Sequence, residues 1–181
     1  MAYTTINKSS LYQNQILYTG DTSSSRSITG VGFQPDLVWV KTRNAANPHL
    51  VSDAVRGTNN NLQTDSTAAA AVDYSQGWVS AFGADGYTAY AGSGGDNDIN
   101  GNGNTYVTWN WKAGTTSGIT TNASTDTTPS SYSFNQTSGI SILKYAGSGS
   151  TPTKIAHGLG VAPKLIIVKN LSGTADWVVG H

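Results

Sequence analysis

The stretch TGVGFQPDLVWVKT at residues 29–42 is nearly repeated as HGLGVAPKLIIVKN at residues 157–170. Each reads as a turn glycine, a second glycine, a proline, an unbroken apolar run and a closing lysine. Glycine gives a turn access to positive φ, and proline is tolerated at the first residue of a strand, where its missing N–H matters least. Within Leu37–Val40 and Leu165–Val168 no polar residue alternates with the apolar ones, the pattern of a strand covered on both faces. Both runs are therefore expected to be central strands of a β-rich fold.

The correspondence keeps register over distance. Pro163 minus Pro35, Gly160 minus Gly32, Gly158 minus Gly30 and Lys169 minus Lys41 all equal 128. Tyr145 minus Tyr18 and Gly147 minus Gly20 equal 127, so one residue is inserted between. The shared unit is two strands joined by a long Ser/Thr-rich turn, and its period is longer than that of solenoids, which suits tandem β-domains strung as beads. After its lysine the first unit runs on through Trp78, Tyr87 and Trp109 to Gly114, whereas the second reaches His181. The expected layout is a first β-rich unit at 1–114, a polar connection at 115–138, and at 139–181 either an incomplete second unit or a strand pair completing the first. A chain continuing past His181 is part of the first alternative.

Composition points the same way. Hydrophobic residues make up 37% and charged residues 11%, against about 45–50% and about 25% in ordinary globular domains. The difference has gone into Gly, Ser, Thr and Asn, which favour turns and strands because their side chains compete locally for helix hydrogen bonds. The expected fold is all-β, an antiparallel, jelly-roll-like β-sandwich with at most one short helix. That helix would lie at Ser66–Val72, capped by Asp65 or Ser66, with a loop as the alternative. Strands are expected at Gln15–Thr19, Asp36–Lys41, Gly77–Phe82, Tyr87–Tyr90, Tyr106–Lys112, Tyr132–Phe134, Gly139–Tyr145, Lys164–Lys169 and Asp176–Val179.

Ten basic and ten acidic residues balance to a net charge of zero, leaving no basic footprint for nucleic acid. There is no cysteine, so packing rather than disulfides must hold the fold. The first fifteen residues lack a basic and apolar signal pattern, and no apolar run reaches the roughly 18 residues of a membrane helix. Synthesis in the cytoplasm, without membrane insertion, is the expectation.

Few residues nominate themselves for chemistry. Asp96, Asp98 and Asn100, followed by Gly101, match the front half of a calcium loop, but its twelfth position is Val107 rather than an acid. An ordinary hairpin tip at 92–104 is the competing reading. His49, His157 and His181 are far apart in sequence and lack paired acids or a second ligand nearby. There is no glutamate, and most of the ten aspartates sit in turn contexts, which leaves no evident carboxylate pair for glycoside hydrolysis. No catalytic residue, metal site or cofactor is expected. Aromatic side chains remain: Trp39, Trp109, Trp111 and Trp177 are expected to fill the core, and Trp78, Tyr87 and Tyr90 to be the exposed rings available for binding.

Several motifs together carry a resemblance. Leu17-Tyr18-Thr19-Gly20, Gly32 to Lys41, Asp53 to Gly57, Ala84 to Tyr87 and Tyr106 to Gly114 resemble a repeat-bearing family of phage structural proteins, seen especially in phages of marine and freshwater bacteria, including cyanophages. Gly158 to Asn170 with Asp176 to His181 is similar to the opening of that family's next unit. The resemblance implies a non-enzymatic virion component. A tail fibre or adhesin anchored by its N-terminal β-domain comes first, and a capsid decoration or head-fibre protein is the alternative. A carbohydrate-binding or depolymerase domain is the further one. Implied partners are other virion proteins, further copies of the chain, a trimer by fibre analogy, and a host-surface glycan or receptor.

Overall fold

The computed structural model describes residues 6–72, 74–94, 97–122, 125–149 and 152–181. Among the described residues, thirteen strands and a single 3-10 turn at Ser9–Leu11 make up the regular structure. The larger sheet has six strands in the order β1 (Gln13–Thr19), β9 (Thr105–Trp111), β3 (Leu37–Thr42), β4 (Leu50–Asp53), β5 (Asn60–Gln63) and β6 (Ala71–Val72). Facing it, β8 (Gly86–Tyr90) lies between β2 (Arg26–Ile28) and β7 (Trp78–Gly83). All pairings within the two sheets are antiparallel. The fold is an all-β sandwich.

Its core is the layer between these sheets. Val38, Val40, Leu50 and Tyr106 from the large sheet meet Ile28, Val79, Tyr87 and Ala89 from the small one, with Ile99 arriving from the β8–β9 loop. Strand β9 shows how the layer is filled. Tyr106, Thr108 and Asn110 point inward and are buried, whereas Val107, Trp109 and Trp111 point outward and are half-buried. The period-2 alternation is as expected, but its phase is reversed: Trp39, Trp109 and Trp111 lie on the outer face of the sheet and do not fill the core. The inward phase of β9 follows from what its side chains meet there: Tyr106 joins the Ile99 and Tyr87 cluster and donates to the Asn97 carbonyl of the buried loop at 2.6 Å, which leaves Trp109 and Trp111 on the opposite face. The Asn110 amide donates to Thr108 Oγ1 at 3.0 Å and to the Asn14 carbonyl at 3.2 Å, so its N–H groups enter the core hydrogen-bonded while its buried Oδ1 has no partner among the described residues.

Residues 97–101 of the loop expected to be a hairpin tip are also inside. Asn97, Asp98, Ile99 and Asn100 are all buried. The Asn97 side chain accepts from the Asn100 N–H at 2.8 Å, Asn100 accepts from the Asp21 N–H at 3.1 Å, and the Tyr106 hydroxyl donates to the Asn97 carbonyl at 2.6 Å. Gly20 lets this plug close against the end of β1, because a Cβ there would run into the Gly101 carbonyl.

Two smaller sheets follow. β10 (Ser131–Asn135) pairs with β11 (Ile140–Lys144), and β12 (Ile166–Val168) with β13 (Val178–Gly180). Strand β10 covers the expected Tyr132–Phe134 run within the 115–138 segment, and Phe134 is buried with Ile119 and Ala156 in a second small core. Asp36 ties that sheet to the sandwich: its carboxylate, 4% exposed, accepts from the Ala113 N–H at 2.9 Å and from the Ser133 hydroxyl at 2.9 Å. Ser66–Val72 is loop running into β6, not helix. Alanines alone do not hold a helix of that length, and backbone groups here bond elsewhere, Ala70 N–H to the Leu171 carbonyl at 3.2 Å and Thr67 carbonyl to the Ala175 N–H at 3.0 Å.

Strand β12 departs most from expectation. Leu165, Ile166 and Ile167 are exposed rather than covered on both faces, because among the described residues β12 has only β13 beside it. Its pairing is nonetheless familiar. Ile166, Ile167 and Val168 face Gly180, Val179 and Val178. Val38, Trp39 and Val40 face Ser52, Val51 and Leu50. Adding 128 to each number of the second set gives the first, so the C-terminal hairpin has the register of β3–β4. Among the described residues no helix is long and apolar enough to cross a membrane.

Candidate functional site

The most chemically distinctive surface is the outer face of the large sheet. Cross-strand partners there form rows: Gln15, Trp109, Trp39 and Val51 in one, and Gln13, Trp111, Leu37 and Asp53 in the next. Leu17 extends this face and is 63% exposed. The rings of Trp39 and Trp109 meet edge to face at 6.2 Å, and His49 meets Trp39 in the same way at 6.0 Å. Such pairs contribute about 0.5–1.5 kcal/mol beyond burial alone and fix the indoles as a firm platform.

Hydrogen bonds set the platform's borders. Trp39 Nε1–H donates to His49 Nδ1 at 3.0 Å, which requires that nitrogen to be unprotonated. Partial burial, and then the nearby Lys41 ammonium, hold the His49 pKa below its ordinary value, in agreement with that geometry. Lys41 Nζ donates to the Asn47 carbonyl at 2.7 Å, closing the β3–β4 loop. At the opposite border Gln15 donates to Gln13 at 3.0 Å. Asp53 and Arg56 form a buried ion pair at 2.6 Å, with Arg56 also donating to the Val51 carbonyl at 2.9 Å. This surface can stack on flat apolar faces and offer amide and ammonium donors beside them.

Of the three aromatic residues expected to be exposed, the structure brings two together. Trp78 and Tyr90 are cross-strand partners on the outer face of the small sheet, stacked at 4.1 Å and 14°, each half-buried. Tyr87 is a correction: it is 3% exposed and lies in the core. Residues 87 and 90 are three apart on one strand, and side chains alternate faces with period 2, so both cannot point outward. Trp78 keeps its outward phase although Phe82 packs inward, because the β7–β8 register shifts between Val79 and Ala81. The signal for Trp39 and Trp109 was present in their alternation with Val38, Val40, Thr108 and Asn110, but nothing in the sequence states which face is inner.

Among the described residues the acid-bearing candidates do not gather. Asp96 lies outside the described residues; Asn100 is spent on Asp21 and Ser23, and Asp98 is buried beside Tyr74, whose pKa is raised first by its own burial and then by the Asp98 carboxylate. Among the described residues no three His, Cys, Asp or Glu side chains are grouped as a metal site. His49 is on the platform, whereas His157 accepts locally from the Leu159 N–H at 3.3 Å. A 440 Å³ cleft beside Asp36 is lined by Gln34, Val55, Thr116, Ser131 and Tyr132, and its acid is committed to Ala113 and Ser133.

No curated protein and no solved structure matches this chain. Residues 8–181 match the family described as Domain of unknown function (DUF7483), and since this is nearly the whole chain, the protein belongs to that family.

Proposed function

We propose that this chain is a non-enzymatic structural protein of a phage virion, a tail-fibre or adhesin-type component whose first β-unit docks on the particle. The observation that carries this reading is the duplicated hairpin: β3–β4 and β12–β13 share one register at a spacing of 128 residues. Copies of a β-module along one chain suit a projecting array in which each unit contacts its neighbours. The resemblance of the Gly32 to Lys41 and Tyr106 to Gly114 stretches to phage structural repeats supports the address, and further copies of the chain and other virion proteins are the partners it calls for. Cryo-electron microscopy and gold labelling of purified particles test it. Label on the tail supports the fibre, label over the capsid lattice moves the protein to a decoration or head-fibre role, and absence from purified particles refutes a virion role.

A second reading, carbohydrate binding, is favoured by the Trp39–Trp109 platform bordered by Gln15 and Lys41, since sugar faces stack on indoles while amides and ammonium groups bond their hydroxyls. Host-surface polysaccharide should then quench tryptophan fluorescence in the native chain, and Trp39→Ala or Trp109→Ala should abolish the quench. No quench with any host glycan would remove this reading.

A further inference from the structure

The joint between the sandwich and the β10–β11 sheet holds the cleft of about 440 Å³. Its walls come from separate elements. Gln34 stands before β3 and Val55 after β4, Ser131 and Ser133 come from β10, and Thr116 is placed by the antiparallel bridge of Thr115 with Phe134. Residues two apart on a strand share a face. The two serine hydroxyls accordingly both donate across the joint, Ser131 to the Val55 carbonyl at 3.3 Å and Ser133 to Asp36 at 2.9 Å. Clefts of this size at joints between packed units are where small ligands are held.

The groups facing this cleft select among ligands. Its floor is the carboxylate of Asp36, a buried residue. Each carboxylate oxygen accepts one hydrogen bond, from the Ala113 N–H or the Ser133 hydroxyl. A carboxylate has about four acceptor sites, so each oxygen can accept one more. The Gln34 amide and the Thr116 hydroxyl are exposed, and neither is bonded to another described side chain or backbone group. Among the described lining residues there is no Lys, Arg or His, and the nearby Arg56 is held by Asp53 and the Val51 carbonyl. An anion would therefore meet the Asp36 charge with nothing to offset it. A calcium ion takes about six to eight oxygens, several of them charged, and only one carboxylate lines this cleft. A neutral ring with hydroxyls on its edge and C–H groups on its faces meets both conditions, since Ala54 and Val55 supply apolar contact beside the polar groups.

We propose that this cleft binds one neutral pyranose unit, with Asp36 accepting from its hydroxyls and Gln34 and Thr116 bonding the same ring from the two sides of the joint. The site uses no side chain of the Trp39–Trp109 platform, and it stands independently of that reading and of a virion role. A ring held in this way ties the β10–β11 sheet more firmly to the sandwich.

The test titrates the intact isotope-labelled chain with the methyl glycosides of glucose, galactose and mannose. Saturable NMR shifts at Gln34, Thr116 and Ser131 are expected for at least one of them, with a Kd of about 1 mM and slower amide exchange at Ser131–Asn135. Thr116→Val and Gln34→Ala, at exposed positions, should each weaken binding by about two- to tenfold without moving the urea midpoint. The uronic acid of the best-bound sugar, the same ring with a negative charge, should bind more weakly. Indole signals of Trp39 and Trp109 report on the platform in the same titration, so failure of one site is read apart from failure of the other. The proposal is overturned by no saturable shift at the cleft with any of the three glycosides, by undiminished binding in both variants, or by a uronic acid that binds as tightly. Methylammonium binding more tightly than every glycoside would also overturn it, making the cleft a cation site.

Discussion

Replacing Asp36 by alanine should detach the β10–β11 sheet from the sandwich and remove much of the chain's stability. The Asp36 carboxylate is buried and accepts two hydrogen bonds, from the Ala113 N–H and the Ser133 hydroxyl, and Ser133 in turn accepts from the Gly114 N–H at 2.7 Å. Hydrogen bonds to a charged acceptor contribute about 1.5–3 kcal/mol each. Losing both, with the Ala113 donor stranded in a buried site, gives an expected cost of about 3–5 kcal/mol. Asp36→Asn keeps the shape and one acceptor oxygen but turns an amide N–H toward a donor, so its cost should fall between wild type and alanine. Urea unfolding followed by tryptophan fluorescence measures both. With a slope near 2 kcal/mol per M, the alanine variant should lower the midpoint by about 2 M, and amide exchange should accelerate first at Ser131–Asn135. A midpoint change below about 0.3 M, or faster exchange that spares β10, would refute the view that Asp36 joins the two sheets.

Other positions give sharper contrasts. Gly86→Ala should cost about 1–3 kcal/mol, because Gly86 has φ +150° and a Cβ would collide with the Ile28 carbonyl on β2; a neutral result in thermal unfolding would show that β2 can shift at no cost. Leu50→Ala, at a 1% exposed site, should cost about 2–5 kcal/mol, whereas Leu17→Ala on the outer face should change stability by less than about 0.5 kcal/mol, and equal effects would contradict the assignment of the core. His49 should titrate below its ordinary 6.5 because burial and Lys41 disfavour its charged form. The unfolded chain then takes up the proton first, so the stability His49 contributes is complete above pH 6.5 and is lost as pH falls toward the folded pKa. An NMR titration midpoint above 6.5, or a Trp39 indole N–H resonance indifferent to that titration, would disprove the pairing.

Sequence reading recovered strands wherever β-branched or aromatic residues formed a run, so β1, β3, β7, β8, β9 and the four later strands lie within a residue or two of their expected places. It missed β2, β4, β5 and β6. Asn60–Gln63 contains one apolar residue, Leu62, and becomes a strand because Ser52 donates to the Asn61 side chain at 2.6 Å while Asn61 donates to the Gly77 carbonyl at 2.9 Å. Those partners are distant in sequence, and no local pattern announces them. The candidate platform was half legible: alternation showed that Trp109 and Trp111 share a face, but which face is buried depends on the opposing sheet. That sheet and the 97–101 plug receive the Tyr106, Thr108 and Asn110 row, and no local pattern states this.

The two copies of the hairpin share a frame but give its positions different work. Asp36, which locks β3 to β10 in the first copy, is replaced at the equivalent position by Lys164, which is exposed. Trp39, the centre of the platform, becomes Ile167, and His49, its hydrogen-bond acceptor, becomes Trp177. Trp177 Nε1–H donates to the Gln63 carbonyl at 3.0 Å and lies 3.2 Å from the Ser66 carbonyl, so the indole of the second copy hooks onto the loop after β5 of the first. Lys169 does likewise, donating to the Thr67 carbonyl at 3.1 Å where Lys41 closes its own hairpin. Glycine, proline and the apolar run define the hairpin's backbone, and the side chains beyond them decide what it attaches to. In the first copy they attach it within its own sandwich. In the second they attach it to the loop that follows β5, through Trp177 and Lys169.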